Sequence, residues 1–291
     1  MKRRKFGTTG LEISEVVFGA GAVGGLLIDA DDATRRAALW LALDLGINLI
    51  DSSAAYRWSE ELIAKYVGHR RKEFVFATKC GSGRVLQPDG EWVQTLDYSA
   101  KAIMPQIERS LERLKTDTID IIQLHSPPHD DVAFGDGLDG LKRAQEQGKL
   151  RFISLSADGD AAKKAIEIGE YDTLQISYNM LDYKPGEIAA AAREKDMGII
   201  IKQPIANAFF ETENAESNDL AARAQSILST DVVGGTSRVE VALRWLLEDE
   251  NVHTAIVGTT NIDHLKDNVA SVERGKLEEG VREEITKRQR G

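Results

Sequence analysis

Two side chains that exchange protons, Asp51 and Tyr56, stand close together where the apolar run Asn48–Ile50 breaks into a loop. Two more, Lys79 and His125, hold the equivalent place at the ends of the later apolar runs Phe74–Ala77 and Thr118–Leu124. A carboxylate at the end of a buried strand is costly unless it is paired, and Lys79 can pair with Asp51. The same ammonium beside the Tyr56 phenol would stabilise a phenolate and make the phenol a readier proton donor. A phenol so placed can protonate an alkoxide as it forms, and a neutral His125 can orient and polarise a carbonyl oxygen. Each residue also has a plainer reading, Asp51 as a structural cap and Tyr56 as a loop aromatic, so the chemistry depends on the four meeting in space.

The elements around them alternate. Short β-branched and apolar runs end at Phe18, Ile50, Lys79, Leu124, Ser156, Ser177, Lys202 and Val257, and between them lie stretches with apolar residues at helical spacing, such as Ile103, Ile107, Leu111 and Leu114. Eight strands alternating with helices imply a parallel sheet, and that number favours a closed α/β barrel, a (β/α)8 TIM barrel, over an open sheet. In such a barrel Gly19, Asp51, Lys79, His125, Ser156, Ser177, Lys202 and Gly258 converge on one mouth, the carboxyl ends of the strands. A hairpin over Phe6–Ile13 precedes the barrel, Cys80–Asp97 reads as a Gly-rich loop containing Pro88, and extra helices follow around Leu220–Leu228 and from Glu278 to about Gln289. Ser59 opens a helix that Gly68 closes.

Gly19-Ala20-Gly21-Ala22-Val23-Gly24 is formally a G-x-G-x-x-G. The next helix signal, Asp31 or Asp32 as cap with Ala33–Leu45 as body, comes too late for a Rossmann turn, so the glycines are expected to let backbone approach a ligand instead.

A chain of 291 residues, 42% hydrophobic and 29% charged, suits one barrel domain over residues 1–291. The net charge of −10 argues against nucleic acid as a partner and points to a small-molecule substrate. Cys80 is the lone cysteine, so no intrachain disulfide or thiolate metal cluster is expected, and His69, His125, His129, His253 and His264 show no metal-ligand spacing. The basic opening Met1–Lys5 has no apolar stretch behind it and no run approaches membrane-spanning length, so a cytoplasmic protein with no membrane partner is expected. Oligomeric state is left open.

The chain resembles the aldo-keto reductase family. Asp51-Ser52-Ser53-Ala54-Ala55-Tyr56-Arg57-Trp58-Ser59-Glu60 corresponds to that family's D-[TS]-A-x-x-Y-G-x-S-E. Ala77-Thr78-Lys79, Leu124-His125, Gln175-Ile176-Ser177-Tyr178-Asn179, Ile256-Val257-Gly258 and His264-Leu265-Lys266-Asp267-Asn268 extend the likeness over almost the whole chain. The resemblance implies an oxidoreductase that moves hydride between a nicotinamide and an aldehyde, ketone or the corresponding alcohol. Asp51, Tyr56, Lys79 and His125 form its catalytic tetrad, with Tyr56 as general acid/base. It implies NADP(H) as the favoured cofactor, NAD(H) being possible, extended across the mouth. Gly19 and Ala20 approach it by backbone, Ser156 and Gln175 hold the carboxamide, and Tyr178 and Lys202 also bind the cofactor, the Lys202 ammonium within reach of a phosphate. Pro204, Ile205 and Asn207 touch the pyrophosphate, and Gly258, Thr259, His264 and Asn268 hold the adenosine end. The chain departs from the pattern at Ala157, where an asparagine is usual, and at Lys202, where an aromatic residue often stacks on the nicotinamide. Gly258 and His264 replace a basic pair, and Arg57 replaces a glycine; with Trp58 and Trp92, Arg57 is expected to shape the substrate pocket.

Two other readings fit the same residues. Lys79 or Lys202 at a barrel mouth could be a Schiff-base nucleophile of an aldolase. The chain could also be a non-catalytic nucleotide-sensing subunit, which the complete tetrad disfavours.

Overall fold

The structure, a computed structural model, describes residues 1–21, 25–128, 130, 132–206 and 219–290. The chain opens with an antiparallel hairpin, β1 (Arg3–Lys5) against β2 (Glu12–Ser14). It continues through β3 (Val16–Gly19), α1 (Asp32–Asp44), β4 (Leu49–Asp51), α2 (Ser59–Val67) and β5 (Val75–Cys80). A second hairpin, β6 (Ser82–Leu86) with β7 (Trp92–Leu96), precedes α3 (Ala100–Leu114), β8 (Ile119–His125), α4 (Gly137–Glu146) and β9 (Leu150–Ser156). Next come α5 (Gly159–Ile168), β10 (Thr173–Ser177), α6 (Gly186–Glu194), β11 (Gly198–Lys202), α7 (Asp219–Ile227) and α8 (Thr230–Val233). The chain closes with α9 (Arg238–Leu247), β12 (Thr254–Val257), α10 (Ile262–Glu273) and α11 (Glu279–Arg290).

β3, β4, β5, β8, β9, β10, β11 and β12 close into one barrel in that order, β12 returning to β3 through Ala255↔Val16, Ile256↔Val17 and Val257↔Phe18. All eight pairings are parallel. The strands are continuous runs such as Ile119–Leu124 and Gly198–Ile201, buried throughout because helices cover their outer faces while their inner faces meet in the barrel. The helices are started by local caps: Asp31 accepts from the Thr34 N–H, Ser237 from Glu240 and Asn261 from Asp263.

The first hairpin is wider than expected, starting three residues earlier, at Arg3, and ending one later, at Ser14. Phe6–Leu11 is its loop, and it covers the amino-terminal end of the barrel. Phe6 is fully buried, packs edge-on to His253 and lies against Gly198, where an added Cβ would come within 2.7 Å of its ring. With Ile13, Val17, Leu49, Ile121 and Ile200 it forms a separate apolar cluster that seals the barrel floor.

Two local expectations give way. Gly68 is right-handed, with φ −56, so α2 runs on into a 3-10 stretch, Gly68–Glu73, instead of ending there. Cys80–Asp97 is not a plain loop: β6 and β7 pair in register from Ser82↔Leu96 to Leu86↔Trp92 around Pro88 and Gly90. α3 runs past Pro105 to Leu114 in a single helix. Among the described residues no helix is long and apolar enough to cross a membrane.

Candidate active site

Asp51 ends β4 on the inside of the barrel, 3% exposed, and is held by side chains from three other strands. Lys79 Nζ of β5 donates to its Oδ2 at 2.5 Å, and the amides of Gln123 (β8) and Gln175 (β10) donate to Oδ1 at 2.8 and 2.9 Å. Lys79 is 1% exposed and gives a further hydrogen bond to the Ser52 carbonyl at 2.9 Å. Burial works against the ammonium, but the Asp51 carboxylate and Tyr56 outweigh it, so the Lys79 pKa is raised and the group stays charged. A lysine held in this way is a poor Schiff-base nucleophile. Lys202, the other candidate for that role, is also ion-paired, its Nζ 3.0 Å from Asp158 Oδ2.

Tyr56 sits on the loop between β4 and α2, its N–H donating to the Ser53 carbonyl at 2.9 Å. Lys79 Nζ lies 5.2 Å from its ring centroid, and the His125 imidazole meets the ring edge-on at 5.9 Å between centroids. His125 ends β8; its pKa is pushed down to about 3, first by burial and then by the Lys79 and Lys202 ammonium groups, so the ring is neutral at ordinary pH. The four residues expected to act together do converge.

Two cavities meet at this point. The larger, about 790 Å³, is lined by Tyr56 and His125 together with Gly19, Gly21, Asp51, Ser156 and Gln175 from the strand ends. It runs along Lys202, Pro204 and Ile205 to Gly258, Thr259, His264 and Asn268 at the start of α10. A Cβ on Gly21 would stand 3.1 Å from the Tyr56 ring, so any larger residue there would press on that ring. The smaller, about 350 Å³, shares Tyr56, His125 and Ser126 with the first; its other walls include the β6–β7 hairpin, Arg57, Tyr98 and Ile28. Arg57, Ser126 and Gln203, each lining one cavity or the other, have left-handed backbones with φ of 49°, 50° and 56°. Strained non-glycine residues of this kind collect where loops shape a site.

Some expected residues stand elsewhere. Ala20 is buried behind the cleft, its N–H on the Asp51 carbonyl and its own carbonyl on Ser59 Oγ. Tyr178 turns outward: its hydroxyl donates to Asp249 Oδ2 at 3.0 Å and its ring meets Trp245, so it does not face the cleft. Ser177 is tied to Asp158 through its N–H and hydroxyl and does not line the mouth. Trp58 and Trp92 pack edge-to-face at 4.8 Å between ring centroids, outside the lining of either cavity. Asn207, Ala22, Val23, Gly24 and His129 lie outside the described residues.

Other residues went unnoticed at the sequence level. Ser53 Oγ lies 3.1 Å from His125 Nδ1 and accepts from the Ala55 N–H. Gln123, fully buried, is the fourth member of the Asp51 network. Tyr98 donates its hydroxyl to the His125 carbonyl at 2.6 Å. Ser59 and Glu60 are struts: Ser59 Oγ bonds the Ala20 carbonyl, and Glu60 accepts from Thr78 Oγ1 at 2.7 Å and pairs with Arg113. The chain spacing of Ser53 and Tyr98 relative to His125 carries no signal for these contacts, whereas Gln123 could have been found as a polar residue inside an apolar strand.

A family model described as the aldo/keto reductase family matches residues 15–289. An aldo-keto reductase from Bacillus halodurans, in its holo form, superposes with a TM-score of 0.85 at 27% identity, covering 99% of this chain and 96% of that one. An L-galactose dehydrogenase of Arabidopsis thaliana is 26% identical over 92% of this chain and 87% of its own length. An NADH-specific methylglyoxal reductase of Escherichia coli is 24% identical over 94% of each. With the family model spanning nearly the whole length, this chain belongs to the aldo/keto reductase family, oxidoreductases that interconvert carbonyl compounds and alcohols with a nicotinamide cofactor.

Proposed function

We propose that this chain, acting over residues 1–291 as one barrel domain, is an NAD(P)(H)-dependent carbonyl reductase or alcohol dehydrogenase in which Tyr56 transfers the proton. The observation that carries this reading is the meeting of two cavities at Tyr56 and His125, a long one sized for a dinucleotide and a short one for a small substrate. A reduced nicotinamide bound in the long cleft supplies the hydride. Ser156 and Gln175, hydrogen-bonded to one another at 3.2 Å in the wall of that cleft, would hold the carboxamide, and Thr259, His264 and Asn268 would hold the far end.

The chain's own groups then do three things. His125, neutral and fixed by Ser53, donates from Nε2 to the carbonyl oxygen and orients it. Tyr56 gives its proton to that oxygen as negative charge builds on it. Lys79 stabilises the resulting phenolate, and Asp51 holds Lys79 in place while Gln123 and Gln175 hold Asp51. Run backward, the same groups take the proton from an alcohol.

The test is Tyr56→Phe, assayed with a panel that includes methylglyoxal, galactose and simple aldehydes. Loss of the general acid should cut kcat by roughly 10²- to 10⁴-fold, with NADPH and NADH affinity by fluorescence titration unchanged. Activity retained in the Phe variant would remove Tyr56 from this role.

NADP(H) and NAD(H) differ at the 2′-phosphate, and His264 is the basic side chain that lines the adenosine end among the described residues. We read both cofactors as accepted, with His264 setting the margin for NADPH. His264→Arg should then tighten NADPH binding about tenfold, the gain of one charge-assisted hydrogen bond, and leave NADH binding as it was. Equal changes for the two cofactors would place the 2′-phosphate elsewhere.

A further inference from the structure

The smaller cavity has a charge character opposite to that of the molecule. The chain carries 47 acidic residues against 37 lysines and arginines, yet among the described residues this pocket is lined by Arg57 and Arg84 and by no aspartate or glutamate. Arg84 is half-buried on β6, across from Gln94, and Gln94 itself is turned to Ser82 Oγ at 3.3 Å. Among the described residues the Arg84 guanidinium has no hydrogen bond and no ion pair. A half-buried cation left without a partner inside a pocket is held in readiness for an anion.

Arg57 supplies an independent observation. It holds a left-handed backbone with φ 49°, a conformation that favours glycine, so an arginine there is kept against a local preference. Its ion pair with Asp29 is long, 3.4 Å, and open to solvent on both sides, with 43% and 65% of the two side chains exposed. Such a pair is weak and easily exchanged.

We propose that the substrate is a carbonyl compound bearing a carboxylate, which docks on Arg84, with Arg57 adding to the field, while its carbonyl faces Tyr56 and His125. This rests on the function proposed above and narrows it. One guanidinium free of partners matches one negative charge, which favours a carboxylate over a doubly charged phosphate. The planar fork of Arg84 accepts a carboxylate in two parallel hydrogen bonds. The pocket of about 350 Å³ is of a size to take a small acid.

The test compares 4-carboxybenzaldehyde with its uncharged methyl ester, methyl 4-formylbenzoate, as substrates of the wild type and of Arg84→Gln and Arg84→Lys. The wild type should favour the acid in kcat/KM, the preference shrinking as salt is added. Arg84→Gln should lower the ratio of acid to ester by about 10- to 100-fold, the range of a hydrogen bond to a charged group, mainly through the KM of the acid, and Arg84→Lys should restore part of it. A ratio that is the same in wild type and Arg84→Gln overturns the proposal. Should the wild type reduce neither aldehyde, it is the hydride-transfer reading that fails; calorimetric binding of benzoate to the cofactor-loaded protein then decides the anion site, present in wild type and lost in Arg84→Gln if the proposal holds, and absent from both if it does not.

Discussion

Ser53 illustrates how much a single hydroxyl can decide. It stands within the Asp51–Glu60 motif at a position where the family pattern has alanine, and it reaches His125 Nδ1 at 3.1 Å. With the Ala55 N–H already donating to its oxygen, the Ser53 hydroxyl can give its proton to Nδ1, an arrangement that favours the ring's own proton on Nε2. Ser53→Ala would release that choice of tautomer. A drop of roughly fivefold in kcat is expected, the rate equivalent of one hydrogen bond of about 1 kcal/mol, with cofactor binding intact. Nitrogen-15 shifts of His125 should move from one tautomer toward a mixture. An unchanged spectrum and an unchanged kcat together would leave Ser53 as loop structure only.

At the scale of elements, the β6–β7 hairpin builds the substrate side of the site and hangs on Gly81. That residue has φ 87°, and a Cβ on it would come within 2.1 Å of the Tyr98 ring. Tyr98 in turn holds the His125 carbonyl. Gly81→Ala should therefore push Tyr98 aside and shift His125, raising KM for carbonyl substrates and lowering kcat at least tenfold, as a displacement of about 1 Å does elsewhere. Cofactor affinity serves as the control, since the larger cleft is not walled by this hairpin. A variant with wild-type kinetics would sever the hairpin from the site.

The barrel itself was legible in the residues because its strands, buried on both sides, are unbroken apolar runs and its helices keep their spacing. The meeting of Asp51, Tyr56, Lys79 and His125 was legible for the same reason: each ends a run or follows one closely. The second hairpin was not, although Gln87-Pro88-Asp89-Gly90 carries turn residues and its Gly90 N–H closes a turn on the Gln87 carbonyl at 3.0 Å. Its strands, Ser82–Leu86 and Trp92–Leu96, bury no continuous face, and their apolar residues stand in adjacent pairs, Val85-Leu86 and Trp92-Val93, without the alternation that marks a strand. Tyr178, Trp58 and Trp92 show a different limit: position in the chain placed them near the mouth, but which way a ring points is settled by neighbours such as Asp249 and Trp245, far off in sequence.

For the whole molecule, two buried imidazoles set the response to acid. His125 is pushed down to about 3, and His253 to about 4 by burial and then by Arg193 and Arg4. In the unfolded chain both would take up a proton near the ordinary value of about 6.5. Below that pH the unfolded state therefore binds more protons than the folded one, and stability falls as the pH drops from 6.5 toward 4; above 6.5 neither state is charged at these sites and their contribution is flat. Urea midpoints should be level from pH 7 to 8 and decline steadily below 6.5, by a few kcal/mol in total at about pH 4.5. For the same reason kcat for carbonyl reduction should show no imidazole inflection from His125 between pH 5 and 8. A level midpoint down to pH 4.5 would mean that these rings are protonated in the fold.

The hydrogen bond from Gln175 to Asp51 joins positions 124 apart in the chain. A nascent polypeptide leaving the ribosome from its amino terminus makes β4, β5 and β8 long before β10 exists, so Asp51 and Lys79 spend much of synthesis without the Gln175 amide that will flank them. The full set of hydrogen bonds around Asp51 therefore matures late, and a chain released between β9 and β10 would hold the charged pair and Gln123 in an open ring that lacks Gln175.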